Sequence, residues 1–266
     1  MLRRRLPAFL AIAIAVLLAQ PARAADPDYT DIWWAVGGAE SGWGVTLTQS
    51  PDYLFATFFV YDPDRQPTWY VGDLVRKGTG RYAGKLYDCT GNWFGGAWKP
   101  LEQSCTTVGD AEFVAESVVR GILSYNVGPT AVVKTIERQS LTPVALAGTY
   151  IGGMLIRSSA QCEGGASAIP YAYQLIVSEA AGSLVRIDQI TLGGETDCVM
   201  QGTAQQVGRV RPMPSGSYVC EYFGVDTAVE IADMRRTSNG GIELAWTANL
   251  GSGCIETGSF SGVPQQ

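Results

Sequence analysis

One run, residues 33–74 (WWAVGGAESGWGVTLTQSPDYLFATFFVYDPDRQPTWYVGDL), constrains the fold more than any other, because its side chains change character at every second position. Trp43, Val45 and Leu47 alternate with Gly44, Thr46 and Thr48, the period of a half-buried strand. In residues 53–61 both faces are apolar. Leu54, Ala56, Phe58 and Val60 lie on one side and Tyr53, Phe55, Phe59 and Tyr61 on the other, so this strand is expected to be covered on both. The DPDRQP segment then supplies turn chemistry, its prolines fixing φ and its aspartates bonding nearby backbone, before Thr68 begins a third strand. The unit reads as an antiparallel meander.

Short segments of the same kind, rich in Thr, Val and Tyr and separated by Gly, Asn and Asp, fill the rest of the chain. With 32 glycines and almost no helical periodicity, the chain is expected to be all-β. Further strands are predicted at 79–89, 105–115, 117–125 and 130–138, giving about seven in the first half. The second half offers about nine, at 147–157, 171–178, 183–192, 196–203, 206–211, 217–224, 227–235, 241–249 and 253–260. Asn239-Gly240 suits the two-residue type I′ turn of a hairpin. The QSLTPVA stretch at 139–145 is the clearest boundary, dividing an aromatic-rich domain at 25–140 from a second domain at 145–266. Two meanders of this size predict two small antiparallel β-barrels, because closure removes the unpaired edges of an open sheet. Paired β-sandwiches are the alternative.

Residues 1–24 read as a secretory signal peptide, with Arg3, Arg4 and Arg5 as its basic region, an apolar core at 8–19, and Ala22-Arg23-Ala24 as a small-x-small cleavage site. The apolar core is too short to span a bilayer, so no stable membrane insertion is expected, and the location is periplasmic or secreted. Cleavage after Ala24 removes four arginines and no acid, taking the formal charge from −6 to −10. No basic run follows Arg23, which argues against a nucleic-acid surface. Six cysteines in an exported chain predict three disulfides. If the halves fold separately, Cys89 pairs with Cys105. Three connectivities exist for the other four, and Cys198 with Cys220, leaving Cys162 with Cys254, is favoured for strands close together in a meander.

The chain has no histidine, which excludes the usual serine and cysteine triads, His-ligated zinc and imidazole general bases. No GxSxG, Walker or dinucleotide motif occurs, and no cofactor or metal site is expected. A hydrolase here would depend on a carboxylate pair, with Glu40, Asp52, Asp62, Asp64 and Asp73 as first-half candidates in turn-like contexts. Aromatic residues are the better clue, since six of the seven tryptophans precede residue 100. Trp33, Trp34, Glu40, Trp43, Trp69, Tyr70, Trp93 and Trp98 are the candidate ligand-binding residues, as aromatic faces can stack on sugars or other flat apolar groups. Against this stands the packing reading, with Trp43 and Trp69 as core plugs of a barrel. The function expected is a non-enzymatic exported barrel that binds a small ligand, a glycan among the candidates, through an aromatic cleft. The alternative is a structural or adhesive envelope module whose 53–61 strand forms the contact between the domains or with a protein partner.

The segments ESGWGVTL, LFATFFVYD and QPTWYV also resemble a recurrent stretch of secreted proteobacterial proteins, usually met as ESGWG followed by FATWF, YD and P-T-W. This chain departs from it at Phe58, where tryptophan is usual, and at Gln66, where a nearby glycine is common. The resemblance implies the strand framework and no activity.

Overall fold

The computed structural model describes residues 27–38, 40–100 and 102–265, so the expected signal peptide lies outside the described residues. Two closed barrels of eight antiparallel strands follow one another. The first holds β1 (Asp31–Ala35), β2 (Gly44–Ser50), β3 (Tyr53–Tyr61), β4 (Pro67–Gly78), β5 (Arg81–Thr90), β6 (Ser104–Ala115), β7 (Arg120–Val127) and β8 (Thr130–Arg138). The second holds β9 (Gly148–Ser158), β10 (Ser167–Ala180), β11 (Leu184–Thr191), β12 (Thr196–Thr203), β13 (Met213–Cys220), β14 (Val225–Arg236), β15 (Ile242–Gly251) and β16 (Cys254–Pro264). Each strand pairs with its neighbours in sequence. The rings close where Trp33 meets Arg138 on β1 and β8, and where Phe260 meets Met154 on β16 and β9. Closure excludes paired sandwiches.

Alternation along each strand decides what fills the interiors. In the first barrel Val45, Leu47, Leu54, Phe58, Tyr82 and Phe113 point inward and are fully buried. Trp33 and Tyr29 meet Phe113 edge to face at 5.5 and 5.3 Å, closing one end. The second core is built from Leu175, Ile187, Met200, Ile231, Leu244 and Phe260.

Four expectations require correction. Residues 31–35, given no strand from the sequence because Trp33 and Trp34 stand in turn-like or glycine-rich surroundings, form β1, whose inward Trp33 is fully buried. Residues 206–211 are no ladder strand and carry only bridges from Val210 to Val207 and Arg235. The outer face of β3 is open to solvent at Phe55, Phe59 and Tyr61, because a closed barrel covers only the inward side of each strand. The β14–β15 hairpin has a positive φ at Gly240 but not at Asn239, and Gly240 N–H bonds to Thr237 O at 3.0 Å, so the turn is wider than type I′.

The three disulfides are Cys89–Cys105, Cys162–Cys254 and Cys198–Cys220. Cys89 and Cys105 are directly opposed on β5 and β6, while Cys162 ties the β9–β10 loop to the start of β16. Such bonds belong to an oxidising, non-cytoplasmic environment. Among the described residues, no helix is long and apolar enough to cross a membrane.

The barrels meet through the 206–211 segment and a shared set of charges. The Arg138 side chain is fully buried against Trp33, with its guanidinium 5.0 Å from the indole centroid. Its Nε donates to Val118 O at 2.7 Å and Nη1 to Asp31 Oδ2 at 3.1 Å, while Nη2 donates to Asp28 O. Asp31 Oδ2 also accepts the Arg209 N–H of the second barrel at 2.9 Å. Gly208 permits this approach, for it has φ +63° and a Cβ there would lie 2.4 Å from Asp31 Oδ2 and 2.5 Å from Arg138 Cβ. The 139–147 connection is fastened to the second barrel by Gln206, which donates to Thr142 O, and by Glu179, which accepts from Leu146 and Ala147 N–H groups. Arg138→Met takes the guanidinium from the buried Asp31 carboxylate and leaves the Val118 and Asp28 carbonyls without that donor. It should lower stability by about 3–5 kcal/mol, seen as a fall in the urea midpoint at unchanged slope. A loss below about 1 kcal/mol would show that the guanidinium is not holding the junction.

Candidate ligand-binding site

The eight residues singled out in the first half do not form one site. Trp33 is core. Trp34, on the opposite face of β1, packs against Gly38, and its indole N–H is buried without a partner. Trp69 lies on the outer wall beside its cross-strand neighbour Phe59. Trp93 and Trp98, 72% and 67% exposed, project from the β5–β6 loop that Cys89–Cys105 closes. Only Glu40, Trp43 and Tyr70 gather, around Tyr125. Trp43 stacks on Tyr125 and donates to its hydroxyl at 2.9 Å, Tyr70 lies within electrostatic reach of that phenol, and Lys134 covers the indole while pairing with Glu40. Trp43, Tyr70 and Tyr125 pack onto the core, and none of the eight lines any of the five cavities formed by the described residues.

The enclosed opening is in the second barrel, at the end formed by the β9–β10, β11–β12, β13–β14 and β15–β16 connections and remote from the junction. A cavity of about 480 Å³ enters the barrel there, walled by inward-facing residues of β9–β14 and β16. Apolar surface comes from Ile156, Ile169, Tyr171, Phe223 and Val225, and the buried Cys198–Cys220 bond forms part of the wall. Its polar groups include Asp197, Glu256, Tyr173, Tyr218 and Gln189.

Local structure explains each one. On β11 the inward positions Val185, Ile187 and Gln189 alternate with outward ones, so the amide of Gln189 arrives where an aliphatic group would normally stand. It is 2% exposed and makes no side-chain hydrogen bond among the described residues. Asp197 is turned by a β-bulge. Gln189 pairs with Cys198 and Ile190 with Thr196, leaving Asp197 as the extra residue, free to accept a hydrogen bond from the Tyr173 hydroxyl. Glu256 occupies an inward position of β16, two residues before Gly258. That glycine is required because the Trp246 indole lies across it, and a Cβ would come within 1.9 Å of the ring. Glu256 accepts from the Tyr218 hydroxyl, and Trp246 Nε1 lies 3.5 Å from its carboxylate. Neither Asp197 nor Glu256 forms an ion pair among the described residues.

The carboxylates named from the sequence as a possible catalytic pair, Glu40, Asp52, Asp62, Asp64 and Asp73, share no cavity. Asp197 and Glu256 do, and the sequence reading missed them. The signal for Glu256, as for Gln189, lay in the alternation, where CIETGSF and LVRIDQ each carry a polar residue in phase with inward apolar ones, whereas Asp197, the extra residue of a bulge, is out of phase. Among the described residues, no three His, Cys, Asp or Glu side chains cluster as metal ligands do. No family model matches the chain, and no curated protein matches its sequence.

Burial, then the hydrogen bond to Asp197 and its negative charge, raises the Tyr173 phenol far above its ordinary 10.0. Burial, followed by Glu256, does the same to Tyr218. Because the fold favours the neutral phenols, their contribution to stability is complete below pH 10.0 and is lost as pH rises toward the raised values. A Tyr173→Phe, Tyr218→Phe double variant should therefore develop the same phenolate absorbance as the wild type up to the onset of alkaline unfolding. A smaller rise in the double variant would mean that these phenols titrate normally and lie in water.

Proposed function

We propose that this chain is an exported binding protein, periplasmic or secreted, whose ligand site is the mouth of the second barrel rather than an aromatic cleft in the first. One observation carries the reading: a partly enclosed cavity of about 480 Å³ whose apolar wall holds a small set of convergent polar groups, one of them the Gln189 amide, which has no side-chain hydrogen bond among the described residues. Mouths of barrels are a recurrent place for small-molecule sites, and this volume falls within their ordinary range. The first barrel, filled by its own aromatic side chains, serves as a scaffold rigidly joined through Arg138 and Asp31. A glycan fits as one candidate ligand, with Tyr171 and Phe223 offering ring faces and Asp197, Glu256 and Gln189 offering acceptors and a donor.

The envelope-module reading has its own support in the outer wall of the first barrel. There Phe59 and Trp69, 52% and 48% exposed, face each other across β3 and β4. The two readings predict different sensitivities. Thr191→Trp, at the cavity wall, should abolish small-molecule binding detected by calorimetry while leaving the melting temperature within a few degrees of wild type. Phe59→Ser with Trp69→Ser should leave that binding intact. Ligand binding that survives Thr191→Trp and disappears in the outer-wall variant would move the site to the first barrel.

A further inference from the structure

We infer that the ligand of the second barrel is a small organic cation, an ammonium group carried on an apolar or aromatic body. This rests on the mouth being the ligand site. Asp197 and Glu256 stand in one partly enclosed cavity, and each is held by neutral donors only, the hydroxyls of Tyr173 and Tyr218 and the indole of Trp246. No lysine or arginine lines the cavity. Elsewhere the molecule pairs its enclosed carboxylates with cations: Asp31 with Arg138, Glu179 with Arg211, and Asp233 with Arg235. A carboxylate drawn away from water without a counter-charge is costly, and a cationic ligand removes that cost in proportion to how well it is enclosed.

Each carboxylate has further lone-pair sites once one neutral donor is bound, so the existing hydrogen bonds position the acceptors rather than occupy them. The rings of Tyr171, Tyr173, Tyr218 and Phe223 add faces that attract a cation and cover its apolar body. A bare metal ion is a poor fit, since two carboxylates fall short of the six to eight oxygens that calcium takes. The approach is graded in the same sense. The connections 159–166, 192–195, 221–224 and 252–253 around the opening carry Glu163, Glu195 and Glu221 and no basic residue. Lines of negative potential converging on a cleft raise the arrival rate of cations and repel anions.

Three probes of one shape test this on the full chain: 2-phenylethylammonium, the neutral 2-phenylethanol and the anionic 3-phenylpropionate, each titrated by calorimetry. The ammonium should bind about tenfold tighter than the alcohol or better, as expected for one partly desolvated charge pair, with the carboxylate weakest. Its affinity alone should fall with added salt. Glu256→Gln and Asp197→Asn, made singly and checked for wild-type melting, should each weaken the ammonium about tenfold and the alcohol by much less; the salt dependence needs no variant and stands if either fails to fold. Equal or tighter binding of the alcohol, blocked by Thr191→Trp, would overturn the cation inference and leave the cavity reading standing. No binding of any of the three would overturn both.

Discussion

A strand that begins a chain and a strand that ends it must lie side by side before an eight-stranded meander can close, and both barrels depend on that meeting. In the first, the contact is short, three residue pairs between β1 and β8, and it is reinforced from inside by Trp33 and from the end by Arg138. In the second, β16 and β9 pair over nine positions. Once closed, every strand has one face inside and one outside, and the fate of each side chain follows from its parity. The first barrel fills its inward positions with aliphatic and aromatic residues. Its neighbour fills the end toward the junction with aliphatic and aromatic groups and carries polar groups at the other end, so that end stays open.

The treatment of charge follows the same division. At the junction, acids and bases from both barrels are matched within a few ångströms, and the guanidinium of Arg138 satisfies backbone carbonyls that no strand neighbour reaches. Burial works against that guanidinium, and the charge and hydrogen bond of Asp31 work in its favour. At the mouth, acids are oriented by phenols and an indole and no base answers them. In one arrangement acids meet bases within the protein, and in the other they meet only neutral donors, a difference that the shared fold does not explain and the side chains do.

Much of this was legible in the sequence. The alternation in 43–61 and the two-barrel division follow from period-two patterning, and Cys198 with Cys220 is the favoured one of three connectivities for an even set of cysteines. What escaped has physical causes. DIWWA looked like a turn-side segment because its neighbours are glycines, yet its five residues close the ring. The 206–211 segment has strand-like composition, but Gly208 bends it into the other barrel. The aromatic cluster before residue 100 drew attention to the first half, where the rings divide between core, outer wall and loop. The site was carried by isolated polar residues, Gln189, Asp197 and Glu256, whose common location depends on a bulge and on pairing between distant strands.

Hydrogen exchange on the full chain, with and without saturating 2-phenylethylammonium, tests most directly the claim that one barrel is a filled scaffold and the other an open receptor. The account predicts added protection around the 189–198 hairpin, the 221–224 tip and the start of β16, with the 36–43 and 91–103 regions unchanged. Protection gathered instead on the connections bearing Trp43, Trp93 and Trp98 would contradict it.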